Sequence, residues 1–251
     1  MNPYVKLSFE NRVGTIEFFH PQSNALPGDL LKQLTEAITK YGEEEEIRVV
    51  ILKSGGNRAF CAGASFEELL AIKDAAAGKK FFSGFANVIN AARKCPKFII
   101  GRVHGKAVGG GVGLASAVDY CFATQFSSVK LSELALGIGP FVVGPSIERK
   151  IGLSAYSQLT INSTEWKTAN WAKEKGLFAD VYKTVDVMDS AIKDLAQQLA
   201  SSNPESMRGL KEIMWDKADH WDELLMERAE ISGKRVLSDY TQKILAKLKQ
   251  G

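Results

Sequence analysis

His104-Gly105-Lys106-Ala107-Val108-Gly109-Gly110-Gly111-Val112-Gly113-Leu114 is the stretch on which the reading of the chain turns. An apolar, strand-like run (Phe98, Ile99, Ile100, Val103) leads into it, and a small-residue, helix-like run (Leu114 to Val118) leads out. Six glycines fall between Gly101 and Gly113. Glycine inside an element is costly, so the cluster needs a reason, such as backbone that approaches a ligand closely or takes unusual dihedrals. A glycine-rich strand-to-helix turn also aims several free N–H groups at one point, which makes an anion site.

Upstream lies a second turn of the same kind, Phe60-Cys61-Ala62-Gly63-Ala64-Ser65. Ser65 with Glu68 three residues on fits a capping box, so the N–H groups around Ala64 lie at the positive end of a helix. Two such turns, about 46 residues apart, each offer a backbone N–H at a helix start. Converging on one oxygen, the two donors would form an oxyanion hole, suited to a thioester carbonyl passing through an enolate. Either turn alone reads equally well as tight helix–strand packing.

An enolate mechanism needs an acid/base. Glu133 is the best candidate, set among Leu131, Leu134, Leu136 and Ile138, where an apolar pocket would raise its pKa. A plain exposed loop glutamate is the alternative. His104 is a rival base, although a polar residue at a strand end commonly serves structure. Cys61 reads as a packing residue.

The rest of the chain supplies an α/β frame. Val5, Leu7 and Phe9, then Val13, Ile16 and Phe18, alternate as a hairpin around Glu10-Asn11-Arg12. Leu30, Leu31, Leu34, Ala37, Ile38 and Tyr41 recur at helical spacing, with Gly42 as a stop. Glu43 to Glu46 reads as a solvated turn before a buried strand, Arg48 to Leu52. Helices are expected from about Lys79 to Lys94, over Pro145 to Ile151 and Ala155 to Ile161, and over Trp166 to Lys175. Asp119 to Ala123 and Ser128 to Leu131 read as short strands. From Met188 onward nearly everything has helical period. The expected division is 1–190 as an α/β body of strand–turn–helix units and 191–251 as a helical C-terminal part.

Composition narrows the function. A formal charge of +3 and no basic run interleaved with aromatics argue against nucleic acid. No apolar stretch is long enough for a membrane span, and Met1 to Glu10 has no signal-peptide core. Three cysteines without CxxC spacing suit reduced thiols in a cytoplasmic protein and offer no zinc or other metal site. No GxxxxGK[ST], HExxH or GxSxG is present. Gly111 to Ser116 approaches GxGxxG, but the strand after it does not end in the acid that would hold a ribose.

Three motifs, in order, together resemble the crotonase (enoyl-CoA hydratase/isomerase) superfamily. Ala59 to Ser65 is similar to the family's first oxyanion motif, and His104 to Gly111 to its second. Ser132-Glu133-Leu134-Ala135-Leu136-Gly137 is similar to the segment that carries a catalytic glutamate. Beyond these three, Trp171 to Asp180 is similar to a later helix–turn. The resemblance implies a crotonase-like spiral of ββα units with a C-terminal helical trimerisation region, assembled as a homotrimer or a hexamer. It implies an acyl-CoA substrate with no separate cofactor. Carried over by position, the oxyanion donors are the N–H groups of Ala64 and Gly110, the acid/base is Glu133, and the backbone of Ala25 and Ala62 lies near the coenzyme A adenine. Pocket walls are expected from Phe66, Leu69, Leu70, Phe81, Phe82, Phe141 and Val142.

Two positions depart from the family pattern. Ser65 replaces an aspartate but can still cap a helix. Gly113 stands where two-glutamate hydratases carry their first glutamate. One carboxylate suffices for a 1,3-proton shift, and Leu136 to Phe141 resembles Δ3,Δ2-enoyl-CoA isomerases. Gly109 to Leu114 with Leu131-Ser132-Glu133 resembles 3-methylglutaconyl-CoA hydratase-like members instead, so hydration stays open. A non-catalytic acyl-CoA-binding protein is the remaining alternative.

Overall fold

The computed structural model describes residues 2–250. The chain opens with an antiparallel hairpin, β1 (Tyr4–Glu10) and β2 (Val13–Phe19). Asn11 and Arg12 both take positive φ, 49° and 65°, as a two-residue turn matched to strand twist requires. Helix α1 (Gly28–Glu43) buries the expected stripe from Leu30 to Tyr41. Gly42 does not stop it, because that residue sits in the last turn.

A strand–strand–helix unit then repeats. Its first copy is β3 (Val49–Ser54), β4 (Ala59–Cys61), α2 (Phe66–Leu70) and α3 (Ala75–Lys94). Asp74 caps α3 through the Ala77 N–H, so this helix begins four residues before Lys79. The second copy is β5 (Phe98–Val103), β6 (Lys106–Val108) and α4 (Gly110–Ala117). The third is β7 (Tyr120–Thr124), β8 (Ser128–Lys130) and α5 (Gly144–Ile161), which kinks at Gly152 where φ is 73°. That kink splits α5 into the two short helices expected. β9 (Lys167–Thr168), α6 (Ala169–Glu174) and β10 (Asp180–Tyr182) follow. The helix expected from Trp166 starts only at Ala169, because Lys167 and Thr168 pair with β8 and Thr168 caps α6.

Each unit sends its first strand to one sheet and its second to another. The larger sheet runs β1-β2-β3-β5-β7-β10, parallel from β2 on, and the smaller runs β4-β6-β8-β9. Strands buried on both faces read as near-continuous apolar runs, and Val49 to Leu52 and Phe98 to Ile100 do so. The main core lies between the larger sheet, α1, α3 and α4. On the sheet's other face α7 (Val185–Ala200) presses Met188, Ile192 and Ala196 onto Val13, Val49, Ile100 and Phe122. No helix among the described residues is long and apolar enough to cross a membrane.

α8 (Pro204–Met214) is pinned by a buried ion pair, Lys211 Nζ to Asp119 Oδ2 at 2.8 Å. α9 (Trp221–Val236) crosses α3 at Gly78 and Gly233, where a Cβ on Gly78 would stand 2.7 Å from Gly233 Cα. Backbone meets backbone there, so a methyl group has no flexible neighbour to displace. Gly233→Ala is expected to lower stability by roughly 1–3 kcal/mol despite its better helix propensity. A urea midpoint equal to that of the parent would show the crossing to be looser. α10 (Asp239–Gln250) returns to the loop after β8, where Thr241 Oγ1 donates to Gly137 O at 3.1 Å.

Candidate active site

The two glycine-containing turns are brought together by neighbouring parallel strands, β4 and β6. Gly63 has φ +95°, and a Cβ there would lie 3.0 Å from Val108 O and 3.5 Å from Gly110 N. A Cβ on Gly111 would collide with Cys61 O, and one on Gly110 with the Phe85 ring. The glycines are therefore what lets the turns touch. Ala64 sits opposite Leu26 in a parallel bridge, in which Leu26 N–H donates to Gly63 O and Ser65 N–H to Leu26 O. Ala64's own N–H points away from that bridge and meets no acceptor among the described residues; nor does the N–H of Gly110 at the start of α4. Ser65 Oγ accepts the Glu68 N–H as expected, but the Glu68 carboxylate reaches the Gly28 N–H at 2.9 Å, tying α2 to α1.

Glu133 leaves β8 at the head of a single 3-10 turn, Leu134–Leu136, and its carbonyl accepts from the N–H groups of Leu136 and Ile138. Its side chain packs against Gly109, where φ is +52° and a Cβ would stand 2.7 Å from Oε1. Oε2 is buried and has no hydrogen-bond partner. Burial penalises the charged form by more than a hydrogen bond from Glu133's own backbone offsets, and pushes the carboxyl up to about 7.

Ala64, Gly110 and Glu133 line one cavity of about 250 Å³. Phe66, Leu69, Phe81, Phe82, Phe141 and Val142 line it as expected, whereas Leu70 faces an adjoining groove. Glu133 is the one titratable residue on the cavity wall among the described residues. A carboxyl poised near neutrality, beside two free N–H groups in an apolar chamber, can move a proton to and from carbon next to a polarised carbonyl. Ala25 and Ala62 line the adjoining groove, which Ala62, Ala64 and Phe66 share with the cavity and α10 closes with Leu248 and Lys249.

Three wall residues escape sequence reasoning. Phe85 comes from the middle of α3 and Ser232 from α9, more than a hundred residues from either turn. Val143 matters most: a Cβ on Gly113 would lie 2.5 Å from Val143 Cγ1. The place where a side chain from position 113 would extend is thus filled by an apolar one. His104 lies outside the cavity wall, with Nδ1 3.3 Å from the Arg102 guanidinium, and burial beside that charge holds it down to about 4. Cys61 is buried and its thiol is pushed up to about 12, which leaves it inert as a nucleophile.

Comparisons with known proteins identify the family. The enoyl-CoA hydratase/isomerase family model matches residues 8–244. Mouse mitochondrial methylglutaconyl-CoA hydratase is 32% identical over 192 residues, 75% of this chain and 60% of that protein. The chain thus spans less than two thirds of that relative. Carnitinyl-CoA dehydratase of Salmonella enteritidis PT4 is 29% identical over 215 residues, 85% of this chain and 80% of that protein. The crystal structure of an enoyl-CoA hydratase from Bacillus halodurans superposes with a TM-score of 0.90 at 21% identity, covering 97% of this chain and 99% of that one. With a family match that runs almost from end to end over a fold of the same shape, the chain belongs to the enoyl-CoA hydratase/isomerase family, the crotonase superfamily.

Proposed function

We infer that the chain catalyses a 1,3-proton shift in an enoyl-CoA, moving a β,γ double bond into conjugation with the thioester. The observation that carries this is the single titratable group on the cavity wall, Glu133, with Oε2 buried and unpartnered. The thioester oxygen lies between the N–H groups of Ala64 and Gly110. Glu133 removes a proton from the α carbon, and the electron pair moves into an enolate held by the two donors. The same carboxyl, now protonated, delivers its proton to the γ carbon, and the double bond settles between α and β. Each oxyanion donor in such sites contributes on the order of 10²–10³ in rate. No metal or second cofactor enters this scheme, and the coenzyme A is part of the substrate.

Hydration is the second reading, favoured by the 32% identity to methylglutaconyl-CoA hydratase. It requires a water placed for attack on the β carbon, and Val143 fills the space beside Gly113 where a second carboxylate would hold it. The wall also offers no Lys, Arg or His to an acyl group bearing its own carboxylate, among the described residues. Product analysis with crotonyl-CoA, a 3-enoyl-CoA and 3-methylglutaconyl-CoA side by side separates these readings. Fast conversion of the 3-enoyl-CoA to the 2-enoyl isomer is expected. A 3-hydroxyacyl product formed faster would establish hydration, and binding without turnover of any of the three would leave an acyl-CoA-binding protein.

A homotrimer or hexamer belongs to the same proposal. Ile161, Ile213 and Phe126, which are 75%, 73% and 70% exposed in the single chain, are side chains that such an assembly would be expected to cover. A cytoplasmic location accords with the free thiols of Cys61, Cys95 and Cys121.

A further inference from the structure

Phe81 has the active-site cavity on one side and, on the other, a groove of about 790 Å³ between α1 and α3. It is the one residue that lines both, among the described residues. Helical spacing explains the position. Phe82 and Phe85 face the cavity, while Gly84 faces α1, where a Cβ would lie 2.7 Å from Leu31 Cδ1. Phe81 stands on the border between those faces. Its ring is held edge-on by Phe82, with centroids 5.0 Å apart and planes at 89°. The cavity, at about 250 Å³, holds roughly eight groups of water size at about 30 Å³ each. The adjoining groove at Ala25 opens on the side of Ala62 and Ala64, at the thioester end. A longer acyl tail needs more room than this cavity gives, and the Phe81 ring stands between the cavity and the α1–α3 groove.

We propose that Phe81 sets the acyl-chain length: medium chains end against its ring, and long chains bind only when the ring yields toward the α1–α3 groove. This rests on the reading that the cavity takes the acyl group. Calorimetric binding of saturated butanoyl-, octanoyl- and hexadecanoyl-CoA tests it without depending on any reaction, because these lack the double bond. The parent protein is expected to prefer octanoyl-CoA to hexadecanoyl-CoA. Phe81→Ala should shift that ratio by about tenfold or more toward the long chain, a contact-scale effect for an apolar pocket, and Phe81→Leu should shift it in the same direction by less. An unchanged ratio in either folded variant would overturn the proposal, as would equal binding of both chains by the parent. Failure of the parent to bind any of the three would instead reject the acyl-CoA reading on which it rests.

Discussion

Glu133→Gln is expected to reduce kcat for double-bond isomerisation by roughly 10²–10⁴-fold, the usual contribution of a positioned acid/base. The amide keeps the shape and the packing against Gly109 but cannot accept a proton. In the parent the carboxyl must be ionised to act as base, and it sits up to about 7. kcat/KM should therefore rise with pH through about 7 to a plateau, and that limb should vanish in the variant. The same burial has a stability consequence of opposite sign. A carboxyl raised above its ordinary 4.5 favours the protonated folded state. Its ionisation therefore costs stability as pH climbs from about 4.5 through 7, by up to about 3 kcal/mol above that range. Glu133→Gln should be more stable than the parent at pH 8 and similar to it at pH 4. A variant that loses activity and stability together at pH 8 would mean that Glu133 serves packing instead.

The largest effect on folding is expected at Lys211. Its ammonium is 2.8 Å from Asp119 Oδ2 and donates to Lys97 O at 2.7 Å, and both charged side chains are almost fully buried. Asp119 in turn accepts from the Trp215 indole at 2.9 Å and from the Ile99 N–H at 2.8 Å. This network ties α8 to β5 and to the start of β7. Lys211→Met keeps the volume and takes from the buried Asp119 carboxylate its direct ion-pair partner, leaving Lys150, whose Nζ donates to Asp119 O at 2.8 Å, as the neighbouring charge. The expected loss is about 3–5 kcal/mol. Adding Asp119→Asn should recover part of it, because contacting residues are not additive. Urea denaturation at fixed protein concentration reads both variants. A loss under about 1 kcal/mol, as for an exposed pair, would contradict the burial argument.

What could be read from the sequence was local. The small-residue turns at Ala64 and Gly110 and the glutamate after β8 announce themselves by composition and spacing, and so do the hairpin and α1. What escaped depends on proximity through space. Nothing near Gly113 says that Val143, thirty residues on, occupies its side-chain volume. Nothing in α9 says that Gly233 meets Gly78, or that Ser232 reaches the cavity. Lys211 reads as one more charge on an amphipathic helix until Asp119, ninety-two residues earlier, is placed beside it. Boundary errors have local causes: a cap at Asp74 outreached the apolar stripe, and strand pairing at Lys167 and Thr168 took the first turn of an expected helix.

In the proposed mechanism one carboxyl both removes and returns the proton. The direct test is a 3-enoyl-CoA dideuterated at the α carbon, turned over in ordinary water and analysed by NMR after a single turnover. Because Oε2 of Glu133 is buried and bonded to nothing else, part of the deuterium should appear at the γ carbon of the 2-enoyl product. A γ position filled wholly from solvent, or a 3-hydroxyacyl product in its place, would contradict a single-glutamate mechanism.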